Sequence, residues 1–387
     1  MAVRLKPVEE QVIVVVGASS GIGLSTARAA ADRGAKLVLV ARNGEALDEI
    51  VKECEAKGTK AVAVAADAAN RDDLLRVEEE ATRAFGGFDT WINNAAVAVY
   101  GTVEEIPLED QRHLFDVNYW GVVYGSLIAA RTLKSRGGAI INTGSVLSER
   151  AMVFQTQYSA SKHAVKAFTD GLRMELEHEG APVSVTLIKP SAIDTPYMEH
   201  ARTYLDAPGV VTPPPAYDPT LVAKAMLFAA ENPKRELTVG FGGWAIAALG
   251  TVAPRLTDYA MELTGLSSQT TDNPGRRERR DNLYQPKEDG AERSSLPGGS
   301  RKTSLFLEAQ MHPTATFLAL AGFGLVLAQL IRPKRAEARG PAVPPRRTEV
   351  PVRRPGKGQH REAFGPGRLP RAETPRPVRP RPPQPRP

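Results

Sequence analysis

Seven short apolar runs, mostly β-branched, recur along the first two-thirds of the chain, each followed by a longer stretch with helical spacing. They are Val12–Val16, Lys36–Ala41, Ala61–Ala66, Thr90–Ala95, Ala139–Gly144, Ser184–Pro190 and Glu236–Gly240. Within each run the apolar residues are continuous rather than alternating. A strand with one wet face alternates, whereas a strand covered on both faces does not, and parallel sheets are covered on both faces. Between the runs, Ile22–Arg33, Leu47–Lys57, Asp72–Phe85 and Ala160–Glu179 read as helices. Parallel neighbours need crossover connections, so the pattern predicts an α/β fold with a doubly wound, parallel, seven-stranded sheet.

Of the 387 residues, 42% are hydrophobic, which is ample for one large core. Residues 241–270 look helical and are expected to complete a domain spanning 1–270. Residues 271–304 are polar, charged and rich in turn formers, and read as a disordered linker. Residues 305–335 hold an apolar helix, and 336–387 a disordered basic Pro/Arg-rich tail. The net charge of +6 is an average of unlike parts. From Arg332 onward there are 16 Lys and Arg against 4 Glu, a tail of +12 that leaves the rest of the chain at −6. A single cysteine, Cys54, excludes an intramolecular disulfide and fits a reducing compartment. The first residues hold no apolar run of the secretory kind. These features together predict a cytoplasmic domain.

The first run leads directly into "VVVGASSGIGLSTARAA", whose Gly17, Gly21 and Gly23 open a helix. Glycines there permit a tight turn and close backbone approach, and a helix N-terminus offers free N–H groups to a pyrophosphate. A glycine-rich loop alone is weak evidence, but this one sits at the first strand–helix turn, where a dinucleotide would bind. After the second strand, Arg42 stands where NAD-binding sites place an acidic residue for the ribose 2′-hydroxyl. A guanidinium suits a 2′-phosphate, and Ser19 and Ser20 add hydroxyl donors, so the expected cofactor is NADP(H). No metal site is expected.

Asn118 in "DVNYWG" and Ser145 in "INTGSV" fall near the C-terminal rim of the sheet, where doubly wound folds bind ligands. Tyr158 and Lys162 in "YSASK" share a helix face at i and i+4, with Ser145 thirteen residues upstream. With "GASSGIG", Asp67 in "AAD", "NNAA" after the fourth strand and "KPSAIDTP" after the sixth, the chain resembles the short-chain dehydrogenase/reductase family, in its single-domain Rossmann branch. The resemblance covers roughly residues 10–245. Departures are Val16 for the usual threonine, Ala96 and Ser191 for glycines, and Gly144 for a serine; none removes a catalytic side chain.

The resemblance implies a function. Tyr158 would be the general acid/base, Lys162 would lower its pKa and hold the nicotinamide ribose, Ser145 would bond the substrate oxygen, and Asn118 would hold a water. Gly17, Ser19, Ser20, Gly21, Ile22, Gly23, Arg42, Asp67, Asn94, Ala95, Pro190, Ile193 and Thr195 would join Tyr158 and Lys162 around the cofactor. The activity so implied is an NADP(H)-dependent oxidoreductase interconverting a ketone or aldehyde with an alcohol. The variable lid, Tyr197–Pro219, with its tyrosines and valines, suggests a lipophilic substrate. A homo-oligomer is expected. His163 falls on another helix face and reads as structural. The alternative from another class is a non-catalytic NADP-binding sensor or scaffold, which would have no need of the acid–base set.

Thr314–Ile331 gives 18 uncharged residues, about 27 Å as a helix against a hydrocarbon core of about 30 Å. It reads as a membrane span, an interfacial helix or a helix packed on the domain. The positive-inside rule would keep the basic tail in the cytosol and export the catalytic domain, which conflicts with NADP use. Either the helix lies in the interface with the tail on anionic headgroups, or the rule is broken here; the expectation is cytosolic chemistry with attachment of residues 305–387 to a membrane or anionic lipid. The tail carries one aromatic, Phe364, and no folded reader, so specific nucleic-acid binding is not expected.

Overall fold

All five residues of Val12–Val16 (β1) are buried, and the strand lies inside a seven-stranded sheet. In the computed structural model, which describes residues 3–272, 281–287, 289–296, 298–319 and 321–322, the other strands are Lys36–Ala41 (β2), Ala61–Ala65 (β3), Thr90–Asn93 (β4), Gly138–Thr143 (β5), Val183–Pro190 (β6) and Glu236–Val239 (β7). Their spatial order is β7-β6-β5-β4-β1-β2-β3, and every neighbouring pair is parallel. The chain works outward from β1 to β3, crosses back to β4, and then works outward the other way. Loops leaving β1 and β4 therefore diverge and open a crevice at the C-terminal rim.

Successive strand residues face opposite layers. Ile13 and Val15 enter one core with Leu37, Leu39, Ile92 and Ile141, while Val12, Val14 and Val16 enter the other with Val38, Val40 and Trp91. Helices Gly21–Asp32 (α1) and Gly44–Ala56 (α2) cover the first face, and Arg71–Phe85 (α3) the second. After Leu108–Phe115 (α4), helices Gly121–Arg136 (α5) and Thr156–His178 (α6) also cover the second face, and Pro219–Glu231 (α7) the first. Local chemistry sets the starts. Asn43 accepts from Ala46 N before α2, Asn70 from Asp72 N and Asp73 N before α3, and Asp218 from Thr220 N before α7, where Pro219 takes the first turn.

A buried polar network ties the site strands to the helices behind them. Asn93 Nδ2 donates to Asn142 Oδ1 at 2.8 Å and to Ser126 Oγ at 3.0 Å, and Trp91 Nε1 donates to Asn93 Oδ1 at 2.8 Å. Asn142 Nδ2 donates to Thr169 Oγ1 at 3.0 Å, and Asn142 Oδ1 also accepts from Ser126 Oγ. Each partner is buried, so removing one orphans several. Asn142→Ala should destabilise the fold by about 2–3 kcal/mol, read as a lower midpoint in a denaturant melt with an unchanged slope.

After β7 come helices Phe241–Val252 (α8) and Pro254–Gln269 (α9). The sequence reads 271–304 as a disordered linker, and the described part of it behaves otherwise. Tyr284 Oη donates to Asp110 Oδ1 at 2.7 Å, Arg293 Nε to Asp218 Oδ2 at 2.9 Å, and Ser300–Arg301 pairs with Ala216–Tyr217. Helix Leu305–Met311 (α10) then covers β7: Leu307 and Met311 join the core, and Gln310 bonds both the N–H and the C=O of Thr238, closing the edge of the sheet. Among the described residues no helix is long and apolar enough to cross a membrane. The segment 314–331 expected to attach to a membrane is described only at 314–319 and 321–322, and its remainder lies outside the described residues with the basic tail.

Candidate active site

Where β1 ends, the chain turns at Gly17 with φ 88°, and a side chain there would press within 2.7 Å of Ala95 N. A Cβ on Gly23 would lie 1.8 Å from Gly17 O. These contacts let α1 start directly against the loop, so that backbone lines the crevice. Ser20 is the N-cap residue of α1 but spends no side-chain bond on its own helix. Across the crevice, Asn94 Nδ2 donates to Gly17 O at 3.3 Å, and Asp67 Oδ1 accepts from Ala69 N at 2.9 Å.

Every site residue expected from the sequence lines one cleft of about 350 Å³, except Gly23 and Asn118. Gly23 acts through the packing just described. Asn118 lies fully buried in a single π-helical turn, Asp116–Trp120, between α4 and α5. Its Oδ1 accepts from Val97 N at 2.8 Å and its Nδ2 donates to Val97 O at 3.0 Å, so the side chain clamps the loop after β4. Such turns are rare and often mark functional segments.

Tyr158, Ser145 and Lys162 meet over the end of β5. Ser145 caps a one-turn 3-10 helix, Val146–Ser148: its Oγ accepts from Leu147 N at 3.1 Å while its own N–H donates to Ser148 Oγ at 3.1 Å. Its hydroxyl and that of Tyr197 both lie near enough to the Tyr158 phenol to pull its titration down, and Tyr197 Oη donates to Val97 O at 2.9 Å. One turn along α6, Lys162 is 1% exposed. Its Nζ donates to Thr143 O at 2.8 Å and sits 5.7 Å from the centre of the Tyr158 ring.

Burial governs the titration of both groups. It pushes the Tyr158 phenol above its ordinary value, against the pull of the Ser145 and Tyr197 hydrogen bonds. It lowers Lys162 to about 8, which still leaves the amine mainly an ammonium at neutral pH. A positive charge held beside a phenol with a hydroxyl on its oxygen is the arrangement that proton transfer needs. His163 is exposed, with Nδ1 2.8 Å from Ser159 O on its own helix, and does not line the cleft.

The other half of the cleft is apolar, walled by Met152, Pro213, Pro214, Ile246, Ala247 and Met261. The lid region is fastened by Arg202–Thr203 pairing with Val99–Tyr100 and by Gly209–Val210 pairing with Thr270–Thr271. Ser191 packs against the backbone at Gly240 and Gly243, which have no side chain to obstruct it. Sequence reasoning missed the part played by 281–296: Asn282, Pro286, Lys287 and Asp289 wall the cleft beside Arg42 and Asn43. Their only signal was polar composition, which does not distinguish a linker from a polar strap. The glycine loop at the N-terminus of α1, facing the Tyr158–Ser145–Lys162 group, fits a nicotinamide dinucleotide.

A family model described as short chain dehydrogenase matches residues 11–205. The Bacillus subtilis (strain 168) protein named "Uncharacterized oxidoreductase YxnA" is 45% identical over 321 residues, covering 82% of this chain and 90% of that protein. The "11-beta-hydroxysteroid dehydrogenase A" of Sesamum indicum is 35% identical over 187 residues, 48% of this chain and 53% of that protein. Among solved structures, a short chain dehydrogenase from Burkholderia cenocepacia J2315 in complex with NADP is 31% identical with a TM-score of 0.55, covering 67% of this chain and all of that one. One from Burkholderia phymatum in complex with NAD is 26% identical with a TM-score of 0.58, covering 64% and 94%. With this match in sequence, fold and site, the chain belongs to the short-chain dehydrogenase/reductase family.

Proposed function

We propose that the protein is an NADP(H)-dependent oxidoreductase that interconverts a lipophilic ketone or aldehyde with the corresponding alcohol. The observation that carries this reading is the Tyr158 phenol with the Ser145 hydroxyl and the buried Lys162 ammonium beside it, in the same cleft as the glycine loop. The bound nicotinamide supplies or takes up the hydride. In the reducing direction, Ser145 holds the carbonyl oxygen and Tyr158 gives it the phenolic proton. Lys162 then stabilises the phenolate left behind, and Asn118 keeps the Val97 loop, to which Tyr197 bonds, in position. In the oxidising direction Tyr158, as phenolate, takes the alcohol proton. The apolar wall from Met152 to Met261 favours a substrate that is lipophilic away from its reacting oxygen. Consumption of NADPH in the presence of lipophilic ketones and aldehydes tests the activity.

The cofactor reading rests on Arg42, with Ser19 and Ser20 beside it on the cleft wall and no acidic residue at the end of β2. Arg42→Ala should weaken NADPH binding by about 10–100-fold, the loss of one charge-assisted contact to phosphate, and leave NADH nearly unchanged. Titration calorimetry with both cofactors reads this directly. Equal affinities for the two cofactors in the wild type, unmoved by Arg42→Ala, would contradict it.

A further inference from the structure

The groups available to a 2′-phosphate are already held by the chain itself. Asp289 lies against the first turn of α1 and the start of α2, on one cleft wall with Ser19, Ser20, Arg42 and Asn43, whose hydroxyls, amide and guanidinium favour its ionised carboxylate against the cost of its burial. Arg42 spends its own donors on the same segment: Nη1 reaches Leu283 O at 3.3 Å, and Nη2 bonds Asn282 O. Asn43 Nδ2 donates to Lys287 O at 3.3 Å. The backbone is stitched down as well, with Gly290 N donating to Ser19 O at 2.8 Å and Gly21 N to Ala291 O at 2.9 Å.

The strap is moored on both sides of this pocket. Before it, Tyr284 bonds Asp110, and His113 Nε2 lies 2.8 Å from Leu283 O. After it, Glu292 accepts from Ser25 and Arg28, Arg293 donates to Asp218, and Ser294 Oγ donates to Glu199 at 2.8 Å. These anchors stand outside the cofactor loop, so the Asp289 stretch can leave the pocket while its flanks stay attached.

We propose that Asp289 is a built-in stand-in for the 2′-phosphate of NADP(H), and that it sets cofactor selectivity by holding Ser19, Ser20, Asn43 and Arg42 until a phosphate displaces it. The proposal rests on the NADP(H) reading of Arg42 and goes beyond it. A phosphate and a carboxylate carry like charge and need the same donors, so the two exclude each other. A bare ribose hydroxyl can instead donate to Asp289 and does not compete with it. Asp289 thus opposes the preference that Arg42 creates, narrowing NADP(H) selectivity, and the strap opens as NADP(H) enters. By reciprocity, whatever holds the strap down weakens NADP(H).

The test uses the full chain and equilibrium binding rather than turnover. Asp289→Asn should tighten NADPH binding by roughly tenfold and change NADH binding much less. In the wild type, hydrogen exchange of the amides between 282 and 291 should speed up on adding NADPH. Unchanged or weaker NADPH binding in Asp289→Asn, or slower exchange across the strap with NADPH, would overturn the proposal; the second result would make the strap a lid over the cofactor. Arg42→Ala separates the two readings. If it weakens NADPH while Asp289→Asn does nothing, only the role of Asp289 fails. If it leaves NADPH binding unmoved, the phosphate pocket itself fails, and the role of Asp289 with it. The exchange measurement needs no variant, so a poorly folding mutant does not block it.

Discussion

Phenylalanine at position 158 should cut turnover by about 10²–10⁴-fold, the usual worth of a positioned general acid or base, and leave NADPH binding where it was. The substitution removes one oxygen and keeps the ring, so the contact with Tyr197, at 6.0 Å between ring centres, survives. What is lost is the hydroxyl on which the Ser145 and Tyr197 hydroxyls act, at a cost to folding of about 1 kcal/mol. The pH profile carries a second signature. Burial raises the Tyr158 pKa, so without cofactor the phenol stays protonated through neutral pH. Carbonyl reduction, which needs the phenol, should therefore be flat near neutrality and fall at high pH. Alcohol oxidation, which needs the phenolate, should rise with pH over the same range. Residual activity in Tyr158→Phe should lose both dependences. A variant whose turnover matched the wild type would remove Tyr158 from the chemistry.

Lys162→Met should reduce turnover by about 10²–10³-fold, comparable to loss of a single charge-stabilising donor, with little change in melting temperature. The two halves of that expectation have different causes. Catalytically, the ammonium 5.7 Å from the Tyr158 ring is the nearby positive charge that stabilises phenolate, and methionine cannot replace it. For stability, burial depresses the Lys162 pKa to about 8 from an ordinary 10.5. A lowered lysine pKa means that the unfolded chain binds more protons between these values, so this group's contribution rises with pH across that window and is lost below it. At pH 7 the buried charge therefore opposes folding by on the order of 3 kcal/mol. Methionine relieves that cost but leaves Thr143 O without its donor, which costs about 1–3 kcal/mol. The two nearly cancel. A large drop in melting temperature together with the drop in activity would mean that Lys162 is mainly structural.

The sheet was legible because its signal is local. Continuous runs such as Val12–Val16 have one explanation, burial on both faces, and all seven expected strands are present with ends shifted by at most two residues. The proximity of Tyr158, Lys162 and Ser145 was legible, since Tyr158 and Lys162 share a helix face, Ser145 directly follows a strand, and the family resemblance joins the three. The use of the Asn118 side chain was not, because clamping Val97 depends on a π-turn that no periodicity announces. The strap was missed for a different reason. It is held by single polar residues reaching buried carboxylates, Tyr284 to Asp110 and Arg293 to Asp218, and by backbone bonds to the glycine loop. Such contacts leave no stripe in the sequence. Arg42 was found and its partner was not, because Asp289 is brought to it by tertiary folding alone.

The most direct measurement is NADPH oxidation by the full chain against a panel of lipophilic ketones and aldehydes, with Tyr158→Phe run beside the wild type. The structure leads us to expect turnover of at least one carbonyl by the wild type and near-complete loss in Tyr158→Phe, with NADPH bound equally by both. A wild type that binds NADPH but oxidises it with no carbonyl, and reduces NADP⁺ with none of the corresponding alcohols, would contradict the account and make the protein a cofactor-binding sensor.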